Sequence, residues 1–282
     1  MRRVAAVGAA LLLAASPALA QQSARTDAPQ IEPYKIILVG DSTMAPHSGW
    51  GSAFCGNHVK SSVACLNLGR GGRSTRSYRA EGSWDVALAE ARAPGYRARY
   101  VLIQFGHNDQ SDKPERWTER TSEFPANLRR FVMEVRATGA VPVLLTPLTR
   151  RQFKGSKLDN TLAEWSDEVR KVAAASKVPL VDLNARSAAA VEKMGAAAAT
   201  RLAQLPPAAE ELAAAEAGTT LPPRPAPDSN PEPPAAAQGP RGSVTRKFDY
   251  THVGPVGAEM FAGLVADDLA RAVPELRSQL LP

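Results

Sequence analysis

Three short blocks, far apart in the chain, hold residue types that together could carry out acyl transfer. Ser42 lies in Gly40-Asp41-Ser42-Thr43-Met44, directly after an apolar run. A serine just past a strand is placed to act as a nucleophile. His252 lies in Asp249-Tyr250-Thr251-His252, and a carboxylate three residues earlier can orient its ring as a base. Gly106-His107-Asn108-Asp109 follows another apolar run. The Asn108 amide and the backbone N–H groups of Gly72 and Ser42 are donors of the kind that hold a developing oxyanion. Each residue also has a plainer reading. Asp-Ser-Thr is ordinary turn chemistry, Asn108 can close an Asx turn, Gly72 can make a tight turn, and Asp249 can cap a loop.

Elements that would position these residues follow from hydrophobic pattern. Continuous apolar runs at 34–39, 62–68, 99–105, 141–146 and 178–182 fit strands buried on both faces. Helical segments are expected between them at 49–57, 84–92, 121–137 and 160–175, with a closing helix over 256–273. Strands alternating with helices imply βαβ units with right-handed crossovers and a parallel sheet covered on both sides. Ligands of such sheets bind beyond the carboxyl ends of the strands. Ser42, Gly72 and Asn108 each follow such an end, which raises their joint weight above that of any single motif.

The chain begins Met1-Arg2-Arg3, runs apolar from Val4 to Leu13 and reaches Ala18-Leu19-Ala20. That pattern predicts a signal peptide over 1–20, a polar leader over 21–33 and one domain over 34–282. The apolar run is short for a spanning helix, which needs about 20 residues. Localisation is then expected to be secreted, periplasmic or extracellular, with no membrane partner after cleavage. Ten of the 23 prolines fall within 205–240, and no aromatic lies between Trp165 and Phe248. This composition predicts a surface insertion, helical in its Ala-rich first part and disordered over about 203–241. Thirty-four basic against 28 acidic residues give a net charge of +6, without a dense basic block. Nucleic acid is therefore not an expected partner, whereas an acidic polymer is compatible. The two cysteines, Cys55 and Cys65, are expected to form a disulfide in an exported protein, with two buried thiols as the other reading.

Gly40-Asp41-Ser42, Gly72, Gly106-His107-Asn108-Asp109 and Asp249-Tyr250-Thr251-His252 resemble the four sequence blocks of the SGNH (GDSL-type) hydrolases. The longer block Gly72-Arg73-Ser74-Thr75-Arg76-Ser77-Tyr78 and Phe105-Gly106-His107-Asn108-Asp109 look more narrowly like rhamnogalacturonan acetylesterases. The resemblance implies a three-layer α/β/α sandwich on a five-stranded parallel sheet, flavodoxin-like, with no metal or cofactor. It implies a Ser42–His252–Asp249 triad, with Ser42, Gly72 and Asn108 in the oxyanion hole. The implied substrate is an acetylated polysaccharide or oligosaccharide, deacetylated by a monomer. Arg73 and Arg76 are candidates to face a uronate, or else form structural ion pairs. His107 and Trp50 are further substrate-binding candidates, with core packing the other fate of the tryptophan. Rival readings are an esterase acting on acetylated xylan, peptidoglycan or small acyl esters, a non-catalytic carbohydrate-binding protein on the same fold, and a metal hydrolase built on His107, Asp109, Asp249 and His252.

Overall fold

The structure is a computed structural model that describes residues 33–222 and 247–281. The expected signal peptide and most of the leader lie outside the described residues, as does 223–241 of the expected insertion. Five parallel strands, β1 (Tyr34–Gly40), β2 (Val63–Asn67), β3 (Ala98–Gln104), β4 (Val141–Leu145) and β7 (Leu180–Val181), pair in the order β2-β1-β3-β4-β7. The remaining two strands, β5 (Phe153–Lys154) and β6 (Lys157–Leu158), form a small antiparallel hairpin.

Alternation along the strands builds two cores. Ile36 and Leu38 of β1, Tyr100 and Leu102 of β3 and Val143 and Leu145 of β4 face one side. There they meet Phe54 of α1 (Gly51–Asn57), Val191 of α6 (Leu183–Met194) and the stripe Phe261, Val265, Leu269 of α9 (Pro255–Ala272). Ile37, Val39, Val101, Ile103 and Leu144 face the other side. They pack on α3 (Ser83–Arg92), α4 (Glu123–Ala137) and α5 (Ala163–Ser176), which present Leu88, Leu128, Phe131, Val135 and Val169. The period of two in each strand meets the helical period of its covering helices, and this gives the three-layer α/β/α sandwich. The unbroken apolar runs expected of the central strands are thus accounted for, because β1 and β3 are buried on both faces.

Two short helices differ from expectation. The block after Gly72 is not only a loop: Thr75–Ala80 forms α2, and Ser74 and Ser77 close a reciprocal capping box at its start. Within the expected disordered insertion, residues 203–222 are ordered and carry α8 (Ala209–Glu216), preceded by α7 (Ala196–Thr200). That correction has a backbone cause. The Gly218 carbonyl accepts from the Ser156 N–H at 2.8 Å, and the Thr219 and Thr220 hydroxyls accept from the Gly155 and Phe153 N–H groups at 3.0 and 2.9 Å. The β5–β6 hairpin therefore supplies partners that composition cannot reveal.

Cys55 of α1 and Cys65 of β2 are bonded, with Cα atoms 5.4 Å apart across a separation of 10 residues. A loop of that size restricts the unfolded chain modestly. Replacing both cysteines with serine is expected to lower the unfolding free energy in urea by about 2–3 kcal/mol, with kcat unaltered. An unchanged denaturation midpoint would show that the bond contributes nothing to stability.

Candidate active site

The register of β1 on β3 sets Gly40 opposite Gln104, so the loops after these two strands leave the sheet at the same level. A Cβ on Gly40 would lie 2.7 Å from the Gln104 carbonyl, a distance that excludes any side chain. The loop after Gly40 is then tied down by a buried polar knot. Asp41 Oδ1 accepts from the N–H and the hydroxyl of Thr43, each at 2.8 Å. Gln104 donates to Thr43 Oγ1 at 2.6 Å and accepts from Trp50 Nε1 at 3.0 Å. Ser42, between them, is half-buried. Its carbonyl accepts from the Ser48 hydroxyl at 2.7 Å, and the Ser48 carbonyl accepts from the Val253 N–H at 3.0 Å. Two hydrogen bonds thus link the serine loop to the residue after His252.

His252 Nδ1 lies 2.7 Å from Asp249 Oδ2. The second carboxylate oxygen, Oδ1, accepts from the backbone N–H groups of Thr251 and His252, both at 2.7 Å. Burial would raise Asp249, but the His252 ring and these donors outweigh it and hold its pKa below the usual value. The ionised carboxylate fixes one ring nitrogen and leaves the other for a substrate or nucleophile. Two cavities are lined by the segment that holds Asp249 and His252 and by the residues just after it. One of about 480 Å³ is bordered by His47, Gly49, Gln204, Val253 and Glu259. One of about 280 Å³ is bordered by Arg150, Gln152, Asp249, Tyr250 and Thr251.

Gly72 and Asn108 come together from the ends of β2 and β3. Gly72 takes a φ of +76°, which a side chain would strain. Asn108 Nδ2 donates to the carbonyl of the next residue, Arg73, at 3.0 Å, leaving the amide's second N–H for another acceptor. Beside them, Asp109 Oδ1 accepts from the Thr75 N–H at 3.1 Å, the Thr75 hydroxyl at 2.5 Å and the Thr118 hydroxyl at 3.0 Å. A position that would bring Ser42 close is also occupied by glycine: a Cβ on Gly71 would sit 3.7 Å from Ser42 Cβ.

Of the expected substrate-binding residues, Arg73, Arg76 and Trp50 are engaged elsewhere. Arg73 pairs with Glu81 at 2.8 Å and donates to the Gly71 carbonyl, and Arg76 clasps Glu123 through Nε and Nη2 at 2.8 and 2.5 Å. Their charge serves the α2 surface. Trp50 is fully buried against Phe54, because the loop turns it inward to reach Gln104. His107 is 6% exposed, and burial holds its pKa well below the usual value, so its imidazole is neutral. Within the proposed metal set, Asp249 and His252 bond each other and Asp109 bonds Thr75 and Thr118. No cluster of three or more such ligands occurs among the described residues.

One residue with a clear part here gave no motif. Arg151 is fully buried, yet its guanidinium meets no carboxylate oxygen within ion-pair distance among the described residues. Nη1 donates to the Thr251 carbonyl at 3.2 Å, and Nη2 donates to the carbonyls of Asp249 and His252 at 3.2 and 2.8 Å. Its own N–H donates to the Tyr250 carbonyl at 2.9 Å. Burial pulls its pKa down to about 10, against the attraction of Asp249, so it stays charged near neutrality. The available signal was positional: Arg150-Arg151 follows the fourth strand, on the same sheet edge as the other blocks.

Residues 38–202 match the family described as GDSL-like lipase/acylhydrolase. The chain is 37% identical over 179 residues to rhamnogalacturonan acetylesterase RhgT of Bacillus subtilis, covering 61% of this chain and 74% of that protein. It is 31% identical over 167 residues to the probable rhamnogalacturonan acetylesterase YesY of the same organism, covering 57% and 75%. The crystal structure of the Bacillus subtilis protein YxiM shares the fold, with a TM-score of 0.61 at 21% identity over 86% of this chain and 57% of that one.

Two outcomes test these assignments. Arg151→Met is expected to lower kcat by roughly 10–100-fold through misplacement of the His252 ring, with a smaller loss in Arg151→Lys, both checked for folding by circular dichroism. A folded Arg151→Met with wild-type kcat would remove its positioning part. Burial also raises Asp109 to about 7 against the hydrogen bonds from Thr75 and Thr118. The folded state then holds a proton that the unfolded chain releases, so stability falls as pH rises from about 4 to about 7. Thermal melts of Asp109→Asn across that window should slope less than those of the wild type, and equal slopes would contradict the assignment.

Proposed function

This chain belongs to the GDSL-like lipase/acylhydrolase family and is a serine esterase; on that premise we propose that it removes O-acetyl groups from a rhamnogalacturonan-like polysaccharide outside the cytoplasm. The single observation that carries the catalytic part is the 2.7 Å Asp249–His252 pair, joined through Ser48 to the loop of Ser42. Similarity to RhgT and YesY supports the polymer class. The Cys55–Cys65 bond supports an oxidising compartment. Among the described residues, no helix is long and apolar enough to cross a membrane.

In this reading Ser42 Oγ attacks the acetyl carbonyl carbon while His252 Nε2 takes the hydroxyl proton. The tetrahedral oxyanion receives the N–H groups of Ser42 and Gly72 and the free N–H of the Asn108 amide. The carbon–oxygen bond to the sugar then breaks, and His252 returns its proton to the departing sugar hydroxyl. Water attacks the acetyl-serine, His252 accepts its proton, and acetate leaves as Ser42 Oγ is reprotonated. Asp249 stays ionised throughout, since its second oxygen keeps both backbone donors.

Acetate release from acetylated rhamnogalacturonan tests the reading. Ser42→Ala and His252→Ala are expected to lose on the order of 10⁴–10⁶ in kcat. Asn108→Ala should lose roughly 10²–10³, as removal of one oxyanion donor does elsewhere. A fluorophosphonate probe should label the wild type and not Ser42→Ala. Failure to label folded wild-type protein would defeat the Ser42 assignment, and release only from acetylated xylan would redirect the substrate.

A further inference from the structure

Arginines around the site differ in whether their terminal N–H donors are already taken. Arg73 and Arg76 pair with Glu81 and Glu123. Arg150 donates to the hydroxyls of Thr251 and Thr161 at 3.3 and 2.9 Å. Arg116 differs. Its one ion pair among the described residues is Nε to Glu115 at 3.8 Å, and Nη1 and Nη2 bond no described residue. Its side chain is 32% exposed. A Cβ placed on Gly72 would lie 3.2 Å from Arg116 Nη1 and 3.3 Å from Cζ and Nη2. The guanidinium therefore sits directly on the glycine whose N–H is assigned to the oxyanion, one glycine away from the contact with Ser42.

The loop that carries it is rigidly tied. Arg76 Nη1 donates to the Pro114 carbonyl at 3.0 Å, the N–H groups of Arg116 and Trp117 share the Lys113 carbonyl at 2.9 Å, and Thr118 is bonded to Asp109 through its N–H and its hydroxyl. Trp117, next to Arg116, is 44% exposed, whereas Trp50, Trp84 and Trp165 are buried. An exposed indole supplies a flat apolar face for a sugar ring. A guanidinium with both terminal nitrogens open matches a carboxylate with two parallel bonds.

We propose that Arg116, seated over Gly72 with Trp117 beside it, binds a uronate carboxylate of the acetylated substrate. This rests on the acetylesterase reading of the Ser42 site, and makes that site selective for acidic over neutral acetylated polysaccharides. Glu115, its one ion-pair partner among the described residues, is 65% exposed and approaches Nε at 3.8 Å, while Nη1 and Nη2 form no hydrogen bond with a described residue.

The experiment compares wild type, Arg116→Gln, Arg116→Lys and Trp117→Ala on acetylated rhamnogalacturonan, the same polymer with its carboxyl groups reduced to alcohols, and para-nitrophenyl acetate. Arg116→Gln is expected to lower kcat/KM on the acidic polymer about tenfold relative to para-nitrophenyl acetate, mostly through KM, the effect of one screened charge-assisted bond. Arg116→Lys should keep part of the preference. Carboxyl reduction should cost the wild type the same factor and Arg116→Gln almost nothing. Trp117→Ala should raise KM on both polymers. Wild-type release that Arg116→Gln leaves unaltered, or an equal loss on reduced and unreduced polymer, overturns the arginine's part alone. Para-nitrophenyl acetate turnover without release from the acidic polymer overturns the polysaccharide reading and this inference with it.

Discussion

The pairing of β1 with β3 in the register that sets Gly40 against Gln104 is the constraint on which the site depends. It brings two loops from different parts of the chain to one edge at one height. Gln104 then converts level into position, because a single side chain bonds Thr43 on one loop and Trp50 on its far side. Shifting β1 by one residue would invert every side chain of the strand and place Ile36 and Ile37 in the wrong cores. The burial of both faces therefore defends the register, and the register defends the geometry around Ser42. β2 joins the same arrangement by extension: Leu68 and Arg70 continue bonding to Leu38 and Gly40 after the strand ends, and so carry Gly72 forward to the edge.

A second feature is how charge is buried here. Arg151, Asp41 and Asp109 are all fully buried, and each is met by neutral dipoles rather than by an opposite charge in contact. An ion pair would orient only its own two groups. A guanidinium spread over three carbonyls orients a stretch of main chain, and the desolvation cost is offset by bonds that also define the loop. The price shows in the titration of the acids, with Asp41 pushed to about 6 and Asp109 to about 7 by burial. The His252 carbonyl accepts from Arg151 on one side and from the Gln204 N–H, at 3.2 Å, on the other. Gly254 bonds the Leu202 carbonyl at 2.9 Å. Residues at the start of the expected insertion thus brace the His252 segment, although they lie outside every recognisable block.

How much of this was legible follows from scale. Strands that are apolar on both faces announce themselves, so the sheet and its order of elements could be read from Tyr34 to Asp182. The placement of Ser42, Gly72 and Asn108 beyond strand ends was legible because each follows an apolar run, and the Asp249–His252 contact because of its three-residue spacing. The β5–β6 hairpin and α8 were not, since two-residue strands and an alanine-rich turn of helix have no periodicity of their own and exist through bonds such as Ser156 to Gly218. Arg151 was illegible for a related reason. Its partners are carbonyls, which every residue has, and sequence does not record which main chain a side chain will reach.

Charge is the hardest quantity to read from sequence, because a cation's chemistry depends on whether another residue has already matched it. Arg73 and Arg76 lie in the conspicuous block after Gly72, and that position makes them look available. Folding Thr75–Ala80 into a helix turns them toward Glu81 and Glu123 instead. The same helix presents Arg76 to the Pro114 carbonyl, and that bond helps fix the loop on which Arg116 pairs with Glu115 through Nε alone while Nη1 and Nη2 bond no described residue. Arg76 is then part of the reason that Arg116 stands where it does: its bond to Pro114 helps hold the loop, and the loop sets the Arg116 guanidinium against Gly72. Trp50 and Trp117 divide in the same way, one spent on Gln104 inside the core and the other left at the surface. Availability, rather than residue type, separates the groups that hold the site together from those that can meet a substrate.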